Sequence, residues 1–168
     1  LEAGVDAIQL FDSWAGYLTA RDYREFVQPY SKQIFDTVRP YGVPMIHFGV
    51  GTGELLGDLA VAGPDVLGVD WRVPMDVAAE RVNAALADSR LELQQGDQTK
   101  ALQGNLDPAV LFAGSDAIKR HVSRICAEAD NAIDRGLARG HIFNLGHGVL
   151  PSTDPDAITR AFEEVHNQ

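Results

Sequence analysis

Three groups of residues in this chain have types and spacing that could do chemistry. The first is His47-Phe48-Gly49-Val50-Gly51-Thr52-Gly53-Glu54, a G-x-G-x-G loop after an apolar run, with Asp70 closing the next apolar run. Glycines in such a loop let backbone amides approach a bound group, and an acid on the following strand can hold ribose hydroxyls. The same glycines equally serve a plain tight turn from strand to helix. The second is His147 within Gly146-His147-Gly148, where small neighbours let a large planar ligand approach the imidazole. The third is a set of polar groups at the ends of apolar runs, Asp12, Ser13, Asn105 and Asp107, whose side chains either meet a ligand or close turns. Cys126 is the one cysteine, so neither an intrachain disulfide nor a multi-cysteine metal site can form. It lies beside a helical stripe and reads as a small buried apolar residue. His121, on the polar side of a helix, His141, at a strand start, and His166, near the end, read as structural.

These groups need elements to hold them. Short apolar runs at 7–11, 43–48, 66–69, 101–104 and 141–145 alternate with longer stretches of helical periodicity, the pattern of repeated βα units. Tyr23, Phe26, Val27, Tyr30, Ile34, Phe35 and Val38 share one helical face, with Pro29 forcing a kink or two short helices. Leu55, Leu56 and Leu59 make a shorter stripe that Gly63 ends in a left-handed conformation, and Pro74 opens the next helix. Ser115 is expected to cap a long helix bearing Ile118, Val122, Ile125, Ala129 and Ile133. Asp154 and Pro155 are expected to start the last helix. The stretch 87–100, from Ala87 to Lys100, is polar with little periodicity and reads as an exposed loop or insertion. Five strands with helices between them fit either an open doubly wound sheet or part of a (β/α)8 barrel. A complete barrel takes about 250 residues, and this chain has 168.

The balance of charge excludes some partners. Fourteen Lys and Arg against twenty-four Asp and Glu give a net charge of −10, which argues against nucleic-acid binding. No apolar run reaches the roughly 18–20 residues that span a bilayer, so a cytoplasmic protein without membrane partners is expected. The chain opens at Leu1 almost directly into the first apolar run, and a piece of something longer is the expectation.

Two resemblances follow from the motifs. The loop Gly49-Val50-Gly51-Thr52-Gly53 with Asp70 resembles the cofactor site of class I S-adenosylmethionine methyltransferases, but over only about 25 residues. It departs from them at His47, where an acid normally stands. The second resemblance runs the length of the chain. Gln9-Leu10-Phe11-Asp12-Ser13-Trp14-Ala15-Gly16, Val43-Pro44-Met45-Ile46, Gly68-Val69-Asp70-Trp71, Leu102-Gln103-Gly104-Asn105-Leu106-Asp107-Pro108 and Asn144-Leu145-Gly146-His147-Gly148-Val149-Leu150-Pro151 resemble, in this order, the C-terminal half of the uroporphyrinogen decarboxylase family.

That resemblance implies the C-terminal portion, about five βα units, of a (β/α)8 TIM barrel. It also implies a homodimer, or association with a missing N-terminal half, and a cofactor-free carboxy-lyase of porphyrin biosynthesis. The implied substrate is uroporphyrinogen III, whose four acetates become methyls. Ser13 matches a substrate-binding position, and His147 matches the histidine that contacts substrate carboxylates and assists proton transfer. The family's arginine-rich loop, ring-binding Asp and substrate-contacting Tyr would precede Leu1, leaving Arg72 as the cation beside a strand end. Zinc-dependent relatives in the same superfamily carry His-x-Cys where this chain has His47-Phe48-Gly49, so no metal is expected.

Overall fold

The computed structural model describes residues 1, 3–93 and 99–168, with 89–93 as helix backbone. Five strands, β1 (Ile8–Phe11), β2 (Met45–Phe48), β3 (Val66–Gly68), β4 (Ala101–Leu106) and β5 (His141–Leu145), form one parallel sheet in the order β1-β2-β3-β4-β5. The helices are α1 (Ala20–Phe26), α2 (Gln28–Val38), α3 (Leu56–Val61), α4 (Met75–Leu93), α5 (Ser115–Asp134) and α6 (Pro155–His166).

Parallel strands laid down in sequential order, with right-handed crossovers, put every connecting helix on the same face. The packing shows this. Leu67 and Val69 at β3, and Leu102 and Leu106 of β4, join Leu59, Val82, Ile118, Val122, Ile125 and Ala161 in one core. Met45 of β2 meets Phe35 and Val38 of α2, with Ile8 and Leu10 of β1 packed alongside. Fully burying a side chain such as Leu67 or Ile125 contributes about 1.5–3 kcal/mol.

Among the described residues no helix packs on the alternate strand positions. In register there lie Phe11, Phe48, Gly68, Gln103 and Ile142, with Phe11 63% and Ile142 45% exposed. Gln103 Nε2 donates to Gln9 Oε1 at 3.3 Å across this face. β1 and β4 are three strand spacings apart, about 14 Å on a flat sheet, and strand side chains stand roughly perpendicular to it. The contact therefore requires the sheet to curve toward its bare face.

Local signals explain most boundaries. The chain breaks at Val27, and Pro29 sits in the first turn of α2, where its missing N–H costs nothing. Gly63 has φ +108°, as its helix-ending role demands. Asp154 caps α6 by accepting from Asp156 N at 3.0 Å, and Thr19 caps α1 in the same way. β1, β2 and β3 are one or two residues shorter than expected, and three larger expectations change. Ser115 is the first residue of α5, and Gly114 holds the cap position at φ +83°, a region glycine adopts without strain. α4 continues through 87–93, where polar residues reduce periodicity without breaking the helix; residues 94–98 fall outside the described residues. β4 runs two residues past 104, carrying Asn105 into the sheet. Cys126 is half-buried against the core, and burial, with Asp130 nearby, raises its thiol pKa.

Candidate functional site

The C-terminal ends of all five strands lie at one end of the sheet, where open and closed α/β folds place their ligands. A cavity of about 240 Å³ opens there on the bare face, floored by Phe11, Phe48 and Gln103 and walled by Asn144 and His147. Phe11 and Phe48 meet edge to face, with ring centroids 6.0 Å apart. Phe48 has room because Gly68 is beside it: a Cβ there would come within 2.7 Å of the ring.

Behind the His147 wall, the segment after β3 meets the end of β5. Asn105 Nδ2 donates to the Asp70 and Val73 carbonyls at 2.9 and 2.6 Å, which pins the segment bearing Trp71 and Arg72. The Arg72 guanidinium lies 3.9 Å from the Trp71 ring centroid and donates to Asp70 Oδ2 at 2.9 Å, while half of the side chain stays in solvent. His147 presents its ring edge-on to Trp71 at 5.8 Å. Gly146 makes this meeting possible, since a Cβ there would collide with the Trp71 backbone nitrogen. An exposed imidazole, a half-exposed guanidinium and an apolar floor form an arrangement that can hold an anionic ligand with a flat apolar body.

His147 thus lines the cavity from the end of β5. Ser13 is exposed in the turn after β1 and is not among the residues lining the cavity. The short helical turn that follows it has no side-chain cap, so the Ser13 hydroxyl is not consumed there. Asp107 does close a turn, accepting from Ala109 N at 2.9 Å. His141 Nε2 lies 2.7 Å from the Gly104 carbonyl oxygen, tying β5 to β4. Burial lowers its pKa, against smaller opposing effects of that carbonyl and of Asp130. Among the described residues no group of three His, Cys, Asp or Glu is placed to hold a metal ion, and no helix is long and apolar enough to cross a membrane.

Sequence reasoning missed the floor. Phe11, Phe48, Gln9 and Gln103 follow the two-residue alternation of their strands, a signal that was available; that they meet depends on register and curvature.

The methyltransferase-like reading of the glycine loop finds no support. Asp70 has its carboxylate 1% exposed, and it accepts from the Gly51 and Arg72 backbone amides and the Arg72 guanidinium. Those bonds hold the 49–53 loop and leave the acid unable to reach a ribose. The sequential strand order also lacks the reversal at which open α/β sheets bind nucleotides.

Comparison with known proteins agrees with the motifs. The profile of the family described as Uroporphyrinogen decarboxylase (URO-D) matches residues 1–168. Curated relatives named uroporphyrinogen decarboxylase include one from Corynebacterium diphtheriae, 61% identical over 166 residues, and one from Rhodococcus erythropolis, 63% identical over 167. Each alignment covers 99% of this chain but only 44% and 43% of the relative, so the chain spans less than half the length of the proteins it matches. With a match along its whole length, the chain belongs to the uroporphyrinogen decarboxylase family.

Proposed function

We propose that this chain forms five successive βα units of a (β/α)8 barrel and one wall of the substrate cleft of an enzyme that decarboxylates uroporphyrinogen. Sequential parallel strands, helices on one face and curvature toward the other support the barrel. The remaining strands belong to the length of the relatives that this chain does not span. Uroporphyrinogen III carries an acetate and a propionate on each of four pyrroles, and loss of CO2 from each acetate gives coproporphyrinogen III. A proton added to a pyrrole carbon makes the ring cationic. The bond to CO2 then breaks and its electron pair passes into the ring. The former acetate carbon takes up a proton while the ring carbon releases its own, so one carboxylate is exchanged for one proton. The substrate ring is itself the electron sink.

The observation that carries this reading is the cavity itself, floored by Phe11, Phe48 and Gln103 and walled by His147, with Trp71 against the His147 ring and Arg72 over Trp71. Phe11 and Phe48 face the apolar macrocycle. His147 pairs with a substrate carboxylate and relays protons, Ser13 donates its hydroxyl to the substrate, and Arg72 takes a second carboxylate. With a net charge of −10 on this chain, further cations come from the rest of the enzyme.

The test is the full-length enzyme carrying this chain, with His147→Ala, assayed for coproporphyrinogen formation. A charge-assisted hydrogen bond is worth about 1.5–3 kcal/mol, so kcat/KM should fall about 10- to 100-fold with the circular dichroism unchanged. Unchanged turnover would assign His147 to structure.

A further inference from the structure

We infer that His47 is a positioning residue for the turn that carries Ser13: its Nε2–H donates to the Asp12 carboxylate and fixes the end of β1. The inference rests on the reading of Ser13 as a substrate-binding residue.

His47 sits in register with Leu10 on the helix-covered face of the sheet, fully buried, with the Phe35 ring edge-on at 5.1 Å. A leucine would satisfy such a place. An imidazole there has two polar atoms to account for. Nδ1 lies 3.5 Å from the Leu59 carbonyl oxygen, at the outer limit of a hydrogen bond, and a neutral ring has one N–H to place between this acceptor and the one facing Nε2. Among the described residues Nε2 is buried with no hydrogen-bond partner, and 3.6 Å away is Asp12 Oδ2, itself buried and without one. Buried polar atoms in native proteins are nearly always paired. A potential donor and an acceptor, each orphaned and each facing the other, account for one another once they close by a few tenths of an ångström.

Tyr23 is buried nearby: burial first, then the Asp12 charge, pushes its pKa well up, against the opposing effect of a Ser31 side-chain contact.

Asp12 passes this anchoring to the site. Its backbone N–H donates to the Phe48 carbonyl at 2.8 Å, and its own carbonyl accepts from Ala15 N at 3.2 Å, closing the turn that contains Ser13. The same carbonyl packs on Gly49, where a Cβ would sit 3.0 Å away. Held from below by His47, the turn has one place to sit, and the Ser13 hydroxyl is presented without an ordering cost when substrate arrives.

The experiment compares Ser13→Ala, His47→Leu, His47→Gln and the double variant Ser13→Ala/His47→Leu in the full-length enzyme. Nitrogen-15 NMR of the wild-type imidazoles runs alongside. Loss of one neutral hydrogen bond to substrate corresponds to about a two- to tenfold effect. Ser13→Ala and His47→Leu should each raise KM by that factor, and the double variant should be no worse than either. His47→Gln, whose amide can replace the Nε2–H, should recover most of the loss, and the His47 spectrum should show a proton on Nε2. A bare Nε2, multiplicative effects in the double variant, or a His47→Leu enzyme that loses only thermal stability would each overturn the inference. Unchanged kinetics for Ser13→Ala would instead overturn the reading of Ser13, while the NMR result would still decide the His47–Asp12 contact. Should His47→Leu fail to fold, His47→Gln and the spectrum decide.

Discussion

Replacing Asp70 with alanine removes one carboxylate and three hydrogen bonds at once. The Gly51 and Arg72 backbone amides both donate to it, and a backbone N–H bonded to a charged acceptor contributes about 1.5–3 kcal/mol. The Arg72 guanidinium is half exposed, so its ion pair adds only about 0–1 kcal/mol. The sum is about 3–7 kcal/mol. Its lower half applies because the loop can relax and water can reach the freed amides, giving an expected loss of about 3–5 kcal/mol. Asp70→Asn keeps the shape and one acceptor, but sets an NH2 against an N–H, and about half that loss is expected. Urea unfolding followed by circular dichroism measures both, read as a shift in midpoint at constant slope. A loss below about 1 kcal/mol for Asp70→Ala would refute the claim that this acid holds the glycine loop. So would saturable heat on titration with S-adenosylmethionine that the Asp70→Ala variant abolishes, since the acid would then be a ligand.

Three further outcomes are expected. His141, with its pKa lowered from 6.5 by burial, binds fewer protons folded than unfolded. Its stabilising contribution is therefore complete above about pH 6.5 and is lost as pH falls through the folded pKa; His141→Gln should flatten urea midpoints measured from pH 7.5 to 5. Gly146→Ala should cost about 1–3 kcal/mol of overpacking against Trp71, and should lower turnover by displacing His147; wild-type unfolding midpoints and rates would show the close approach to be dispensable. Residues 1–168 purified alone should associate or aggregate in light scattering and form no coproporphyrinogen, because β1 and β5 are sheet edges and Phe11 and Ile142 lie bare. A stable, active monomer would refute this.

The βα alternation was legible in the sequence because each element carries its own period: Leu102 and Leu106 point to one face of a strand, while Ile118, Val122, Ile125 and Ala129 share one face of a helix. The family was legible too, since its motifs are short stretches of contiguous residues at strand ends, around Ser13, Asp70 and His147. Helix limits set by local chemistry, such as Asp154 and Gly63, could be read in advance; the persistence of α4 to Leu93 could not, because helix propagation needs no apolar stripe. Tertiary structure alone decided how side chains distant in sequence are used. Asp70 and Gly51 meet only when β2 and β3 pair, which turns a candidate ribose ligand into the anchor of a loop. Gln9 and Gln103 meet only because the sheet curves, and His47 finds Asp12 only because parallel register sets it beneath the end of β1. Periodicity along a chain determines which face a residue occupies; what stands opposite it depends on register and curvature, which are properties of the paired strands together.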